Sequence, residues 1–224
     1  MVSSPHRTPP TDAWRIDLTY RHRQRWWFTG DDEPEAWEVS ADVFDDSGTH
    51  RLSHVGGIEV VRVDLDQTRS PFGVLDGEDA ELGRIAEVIF DPASGQLDPT
   101  LDAQLEPLGS RLLILKSVRL TPAWQGFGLG VLLAGIAIKT LSGGVRAAVC
   151  DPMPLPDPQD ADIDVDADPV EREVAVAVLS EVWTQLGFEH FRDGVHVLDL
   201  NLVTLDERLE WLRKRAEQYR TFEC

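Results

Sequence analysis

Sulfur and phenol are scarce in this chain: 2 Cys, 2 Met and 2 Tyr among 224 residues. Cys150 sits in a strand-like run and Cys224 is the last residue, with no C-x-x-C spacing anywhere. That excludes the common zinc sites and a disulfide framework, and leaves a reduced chain with two incidental thiols and no metal expected. No apolar run is long enough to cross a bilayer, and the opening MVSSPHRTPP has no signal-peptide h-region. The expected location is cytoplasmic, without a membrane partner. Cations are also short: 21 Lys and Arg face 40 Asp and Glu, a net charge of −19. A field of that sign repels nucleic acid, so no nucleic-acid partner is expected, and it attracts cations. It suits an amine substrate such as a polyamine, an amino sugar or a lysine side chain. Solubility explains the charge equally well.

What remains is ordinary globular material, 42% hydrophobic and 27% charged, enough for one large domain. Residues 1–13, with Pro5, Pro9 and Pro10, read as an arm. A single domain is expected over 14–203, with its core at 111–202, followed by a C-terminal helix at 204–224. Alternating patterns predict strands over Trp14–Tyr20 and Trp37–Phe44, and β-branched content predicts one over Ile58–Leu65. Residues 45–56 read as a turn region and 92–109 as loop. Asp79–Phe90 carries Leu82, Ile85, Ala86 and Ile89 at helical spacing. Arg111–Leu120 (RLLILKSVRL) is the strongest strand. After a loop, Val131–Leu141 reads as a helix apolar on nearly all sides, and Val145–Cys150 as a short buried strand. Together these make a βαβ unit.

An acidic, proline-containing insert follows at 151–169. Val170–Leu186 reads as a helix with Val174, Ala177, Val178 and Val182 facing inward. Phe188–Phe191 and Val195–Leu202 read as strands around an Asp193-Gly194 turn. Thr204 to Glu207 reads as a capping box opening the last helix. Its stripe of Leu205, Leu209, Leu212 and Ala216 either docks on its own domain or makes a homodimer contact. The fold class is therefore α/β (α+β in strict terms): a mixed, mostly antiparallel central sheet with helices on both faces.

Glycines at 126, 128 and 130, between a buried strand and a buried helix, ask for a reason. Glycine is kept where a side chain does not fit or φ is positive. Backbone N–H groups at a helix N-terminus form an anion site, and a pyrophosphate is the natural guest. The dinucleotide fingerprint G-x-G-x-x-G/A fails, because Val131 stands in its last place, and the Gly-Lys-Ser/Thr ending of the ATP-type loop is absent. A third pattern, Arg/Gln-x-x-Gly-x-Gly/Ala, fits at Gln125, Gly128 and Gly130. The run VRLTPAWQGFGLGVLLAGIAIKTL thereby resembles the core motif of the GNAT superfamily of N-acetyltransferases. Trp183-Thr184-Gln185-Leu186-Gly187-Phe188 resembles that family's aromatic-x-x-Leu-Gly-Phe, which closes its last core helix. The resemblance covers about two fifths of the chain, from Arg111 to Leu202.

The resemblance implies acetyl-CoA as co-substrate. The backbone of Val118, Arg119 and Leu120 would bond the pantetheine arm like an added strand. The N–H groups of Gln125, Gly126, Phe127, Gly128, Leu129 and Gly130 would hold the pyrophosphate. The acceptor, a small-molecule or peptide amine, would attack the thioester directly in a ternary complex, where positioning does most of the work. One departure stands out. Many members place a tyrosine in the late helix as acid to the thiolate, and this chain has Trp183 there.

Asp151 and His190 are proton carriers by location only, with an ordinary loop and hairpin role as the alternative. The same holds of weaker features. Asp162, Asp164, Asp166, Asp168 and Glu173 mimic a calcium loop that lacks its glycine, so a solvated insert is the default. Trp26, Trp27 and Trp37 are acceptor-pocket or core aromatics. Lys139 and Arg146 are 3′-phosphate contacts or surface charge. The leading expectation is an N-acetyltransferase acting on a cationic amine. The alternatives are a GNAT-fold module that binds CoA or a protein without transfer, and an acidic decoy for basic proteins.

Overall fold

The computed structural model describes residues 8–24, 26, 33–153 and 169–220. Its strands are β1 Ile16–His22, β2 Glu35–Phe44, β3 Arg51–Asp64, β4 Arg111–Leu120, β5 Val145–Cys150, β6 Glu189–Arg192 and β7 Val195–Asp199. Its helices are α1 Pro71–Glu78, α2 Ala80–Ile89, α3 Pro99–Asp102, α4 Leu129–Leu141, α5 Pro169–Thr184 and α6 Thr204–Ala216. The strands form one sheet in the order β1-β2-β3-β4-β5-β7-β6. Every pairing is antiparallel except β4 with β5. No described helix is long and apolar enough to cross a membrane.

β4 is central because it is apolar on both faces. Leu113 and Leu115 turn to one core, and Leu112 and Ile114 to the other. The first core is closed by α4 and α6, the second by α1, α2 and α3. α2 starts at Asp79, whose carboxylate accepts the N–H of Leu82 at 2.9 Å. It buries Leu82, Ile85, Ala86 and Ile89, as the spacing requires. α4 is apolar almost all round because it lies between the sheet and α6. A Cβ on Gly135 would sit 2.5 Å from Leu186 Cδ2 and 2.8 Å from Leu209 Cδ2, so glycine sets how closely these elements approach. Leu205, Leu209, Leu212 and Ala216 of α6 are all buried in that core, so the stripe docks on its own domain.

Several local expectations change. β3 begins at Arg51, inside the supposed turn region, because its first residues pair with β2 as far as Phe44. α1 occupies a stretch with no clear amphipathic pattern, started by Ser70, whose hydroxyl accepts from Gly73 N–H, and by Pro71. α3 is one turn inside the supposed loop, capped by Asp98. The capping box at Thr204 does not form: Thr204 is already helical, and no side chain caps the helix. Its methyl group instead stands where a Cβ on Gly187 would be, 2.5 Å away. α5 is rotated from its expected setting. Val174 and Val178 are exposed, and Val182, Trp183 and Leu186 turn to the core.

Candidate functional site

The parallel pair β4–β5 does not run the length of β4. β5 ends at Cys150, opposite Leu115, while β4 continues to Leu120. Over those last residues β4 is paired on the β3 side alone among the described residues. The departure begins at a bulge: Val60 pairs with Leu115 and Glu59 with Ser117, leaving Lys116 over. A bulge turns the strand and frees backbone groups. Beyond it β4 offers an open edge of the kind that accepts an extended chain.

At the end of that edge stands the glycine loop. Gly126 has φ 85° and Gly128 φ 72°, both in the left-handed region that glycine enters without strain. Gly128 is the N-cap of α4, and no side chain caps the helix there. The first-turn N–H groups of a helix have no acceptor within it. Alternating turns of this kind gather N–H groups into an anion-binding concavity. Gly130 is different. A Cβ there would meet Leu120 and Val118 side chains at ordinary contact, so its freedom is not needed for φ. Gln125, the first residue of the motif, donates its Nε2–H to the Leu120 carbonyl at 2.7 Å. It ties the loop to the end of the open strand. Phe127 is buried and meets Tyr219 edge-on at 5.4 Å, which anchors the loop to the chain after α6.

Edge and loop share one cleft of about 1080 Å³. Val118, Arg119 and Leu120, expected to bond the pantetheine arm, line it, as do Gln125, Gly126, Gly128, Leu129 and Gly130. Phe127 is not among the lining residues; its ring belongs to the core. The far wall is Leu179, Val182 and Trp183 of α5. Tyr20 bonds Thr140 Oγ1 at 3.0 Å, and neither Tyr20 nor Tyr219 lines the cleft. No tyrosine of the chain therefore faces the cleft. Arg215 of α6 does reach the cleft, stacked on Trp211 at 5.3 Å. Sequence reading missed it because α6 lies outside the motif-bearing core.

The polar groups sort by position. Asp151 lies in the cleft wall, its side chain 2% exposed and paired with Arg84 of α2. Its carboxylate is held by a guanidinium. His190 lies away from the cleft, on β6, where its ring meets His196 at 5.3 Å. His196 is buried, with Nδ1 2.8 Å from the Gly194 carbonyl, and its pKa is lowered, chiefly by burial. Cys150 ends β5 in the cleft, and burial pushes its thiol far up. It is therefore a neutral thiol and a poor nucleophile.

Two groups outside the expected set also appear. His54 lines the cleft with Nδ1 2.7 Å from Asp42 Oδ1, while Ser40 donates its hydroxyl to Asp42 Oδ2 at 2.6 Å. Lys116 at the bulge reaches Asp79 Oδ2 at 2.5 Å. Strand register brings His54 opposite Asp42, and the packing of α2 against β4 brings Asp79 to Lys116; nothing in their spacing announces either.

The remaining expectations resolve unevenly. Arg146, read as a phosphate contact or surface charge, is neither. It is buried, with its guanidinium bonded to Asp102 and to the carbonyls of Asp102, Leu105 and Glu106. It fixes the loop after α3. Lys139 is exposed and pairs with Asp206 at 2.8 Å. Trp37 packs on the core and stacks on His22, 4.8 Å away. Trp26 is 91% exposed and lines no part of the cleft. Trp27 and Asp162 to Asp168 lie outside the described residues. Among those described, no three His, Cys, Asp or Glu are placed to hold a metal ion.

No family model matches the chain, and no curated protein does either. A crystal structure of AtaTR bound with AcCoA is similar at a TM-score of 0.37 and 10% identity, over 88% of this chain and 98% of that one. A likeness at that level settles neither fold nor activity for this chain, so the functional reading rests on its own residues.

Proposed function

We propose that this chain binds acetyl-CoA in the cleft between β4 and β5 and passes the acetyl group to a primary amine. The observation that carries the reading is the meeting of two backbone surfaces without partners among the described residues: the open edge of β4 and the glycine-built N-terminus of α4. A pantetheine arm suits the first and a pyrophosphate the second, in the order that acetyl-CoA presents them. The GNAT-like motif from Gln125 to Gly130 falls on that junction. Transfer would be direct, because Cys150, the thiol lining the cleft among the described residues, is buried and neutral. Orientation of amine against thioester then supplies most of the acceleration.

A second reading, binding of CoA without transfer, is favoured by one residue. Trp183 lines the cleft where the family's acid stands, and its indole has no acidic proton.

Titration calorimetry with acetyl-CoA tests both. The natural chain is expected to bind at micromolar strength, and Gly128→Glu to bind nothing, since it puts bulk, strain and negative charge at the anion site. No binding by the natural chain would remove both readings. Binding without CoA release in the presence of any amine would leave the second.

A further inference from the structure

The sheet has two edges, and they are finished differently. β6, at one end, is 4 residues long, and its pairing with β7 slips between His190 and Arg192. Short length and irregular register are ordinary defences of an edge against a second chain. β1, at the other end, has neither. It pairs with β2 over all 7 residues, Ile16 to His22, without a register shift. It contains no proline and no lysine. Among the described residues no strand pairs with its outer side. The backbone groups on that side are open to an added strand.

The side chains of β1 select what that strand is. Ile16, Leu18 and Tyr20 turn to the α4 core and are only half-buried there. Asp17, Thr19 and Arg21 alternate with them and are exposed on the other face. Asp17 stands opposite Asp42 of β2, and like charges across a ladder repel. The cations of Asp42 are His54 and Arg51, on its far side, so a partner for Asp17 has to come from beyond the edge. Arg21 stands opposite Glu38, and its guanidinium has donors enough for a second carboxylate.

Two copies of β1 laid antiparallel about a two-fold axis at Thr19 overlap along the whole strand. In that register Asp17 faces Arg21 of the second copy, Leu18 faces its Tyr20, Ile16 faces its His22, and Thr19 faces Thr19. Partners in an antiparallel ladder share a face, so the ion pairs fall on one side of the joined sheet and the apolar pairs on the other. Centres at Leu18 or Tyr20 would keep the faces but shorten the overlap, and would set Thr19 against Asp17 or Arg21 instead. Charges that usually guard an edge are here of opposite sign and evenly placed about the centre, which makes the edge complementary to itself.

We propose that this chain forms a homodimer through β1, its two sheets running into one across a two-fold axis at Thr19. The apolar stripe of α6 is consumed inside the domain and is not the contact. The proposal is independent of what the cleft binds. Arg21 also lines the cleft, so the interface reaches the rim of that site.

Sedimentation velocity on the full chain tests it. One strand pairing buries an area at the low end of specific interfaces, so the dimer is expected to dissociate at about 10 µM, and the observed mass to rise from one chain to two across that concentration. Asp17→Arg sets like charges face to face twice across the axis, and Arg21→Asp does the same with the other sign. Each is expected to weaken the dimer at least about tenfold. The double exchange of Asp17→Arg with Arg21→Asp restores the match and should restore the dimer. An equimolar mixture of the two single variants should also dimerise, since each then presents what the other lacks. Urea unfolding of the single variants is expected to match that of the natural chain, which separates a lost contact from a lost fold. A natural chain that stays monomeric, or a dimer that both single variants leave intact, overturns the proposal. So does a dimer that the single variants lose and that neither the double exchange nor the mixture recovers.

Discussion

Gly56 and Gly57 are neighbours on β3, yet alanine should affect them very differently. A Cβ on Gly56 would lie 2.2 Å from the Arg119 carbonyl oxygen and 2.9 Å from Leu120 Cα. Both are backbone atoms of β4, so no rotamer change relieves the clash and the strand itself must move. A Cβ on Gly57 would meet only the Val39 carbonyl, at 3.9 Å. Overpacking costs about 1–3 kcal/mol, and a backbone obstacle puts Gly56→Ala near the top of that range, about 3 kcal/mol. In a chain of this size each kcal/mol moves Tm by about 2–4 °C, so the fall is about 6–12 °C. Gly57→Ala is expected within about 0.5 kcal/mol of the natural chain. Thermal and urea unfolding of the two variants side by side measure the contrast. The displaced residues, Arg119 and Leu120, form the open edge, so Gly56→Ala should also loosen acetyl-CoA binding while Gly57→Ala does not. Equal stability of the two variants would refute the close approach of β3 and β4 at this point.

Two further perturbations probe the charged and sulfur groups of the cleft. Burial alone would raise the Asp42 pKa, but hydrogen bonds from Ser40 and His54 and the charges of His54 and Arg51 outweigh it and hold it below the usual carboxylate value. A carboxylate lowered in the folded state adds stability that is whole above its unfolded pKa of about 3.9 and is lost as pH falls through the folded value. Asp42→Asn should therefore cost about 2 kcal/mol at pH 7. It should also flatten the loss of stability on acidification below about pH 4, read from urea midpoints across that window. For Cys150, burial keeps the thiol protonated, so iodoacetamide at pH 8 should leave it unlabelled in the folded protein and label it in urea. Peptide mass spectrometry separates it from Cys224, and labelling of Cys150 in the folded chain would contradict the neutral thiol.

The parts of this fold that were legible are those where one local pattern decides. β4 and β5 were legible from their apolar centres, 112–115 and 147–150, because strands buried on both faces show as continuous hydrophobic sequence. The glycine loop was legible because left-handed φ at Gly126 and Gly128 leaves few other residue choices. α5 was misjudged by a rotation. Its valines are spread around the helix, and tertiary packing chose Val182 and Trp183 over Val174 and Val178. β3 was cut short because Gly56 falls within the expected turn region 45–56, whereas it serves the close approach of β4. Arg146 looked like any basic residue until four acceptors gathered around it. The row of Glu38, Glu59 and Ser117 across β2, β3 and β4 was invisible because those residues are far apart in sequence and only register aligns them.

Charge adds a constraint that the site must meet locally. A net charge of −19 opposes an anionic cofactor at long range. The cleft carries backbone rather than a basic patch: N–H groups at the head of α4 and along β4, with Arg21, Lys116, Arg119 and Arg215 the cations lining it among the described residues. Backbone donors carry no formal charge, so on the proposed reading they would hold a pyrophosphate without weakening the acidic field of the chain. The two faces of the sheet can then differ in what they attract. The glycine-loop face carries the backbone N–H groups at the head of α4, and the opposite face carries the carboxylates of Glu38 and Glu59. The bulge at Lys116 is what joins them, since it parts β4 from β5 and opens the sheet at the point where the two substrates would have to meet.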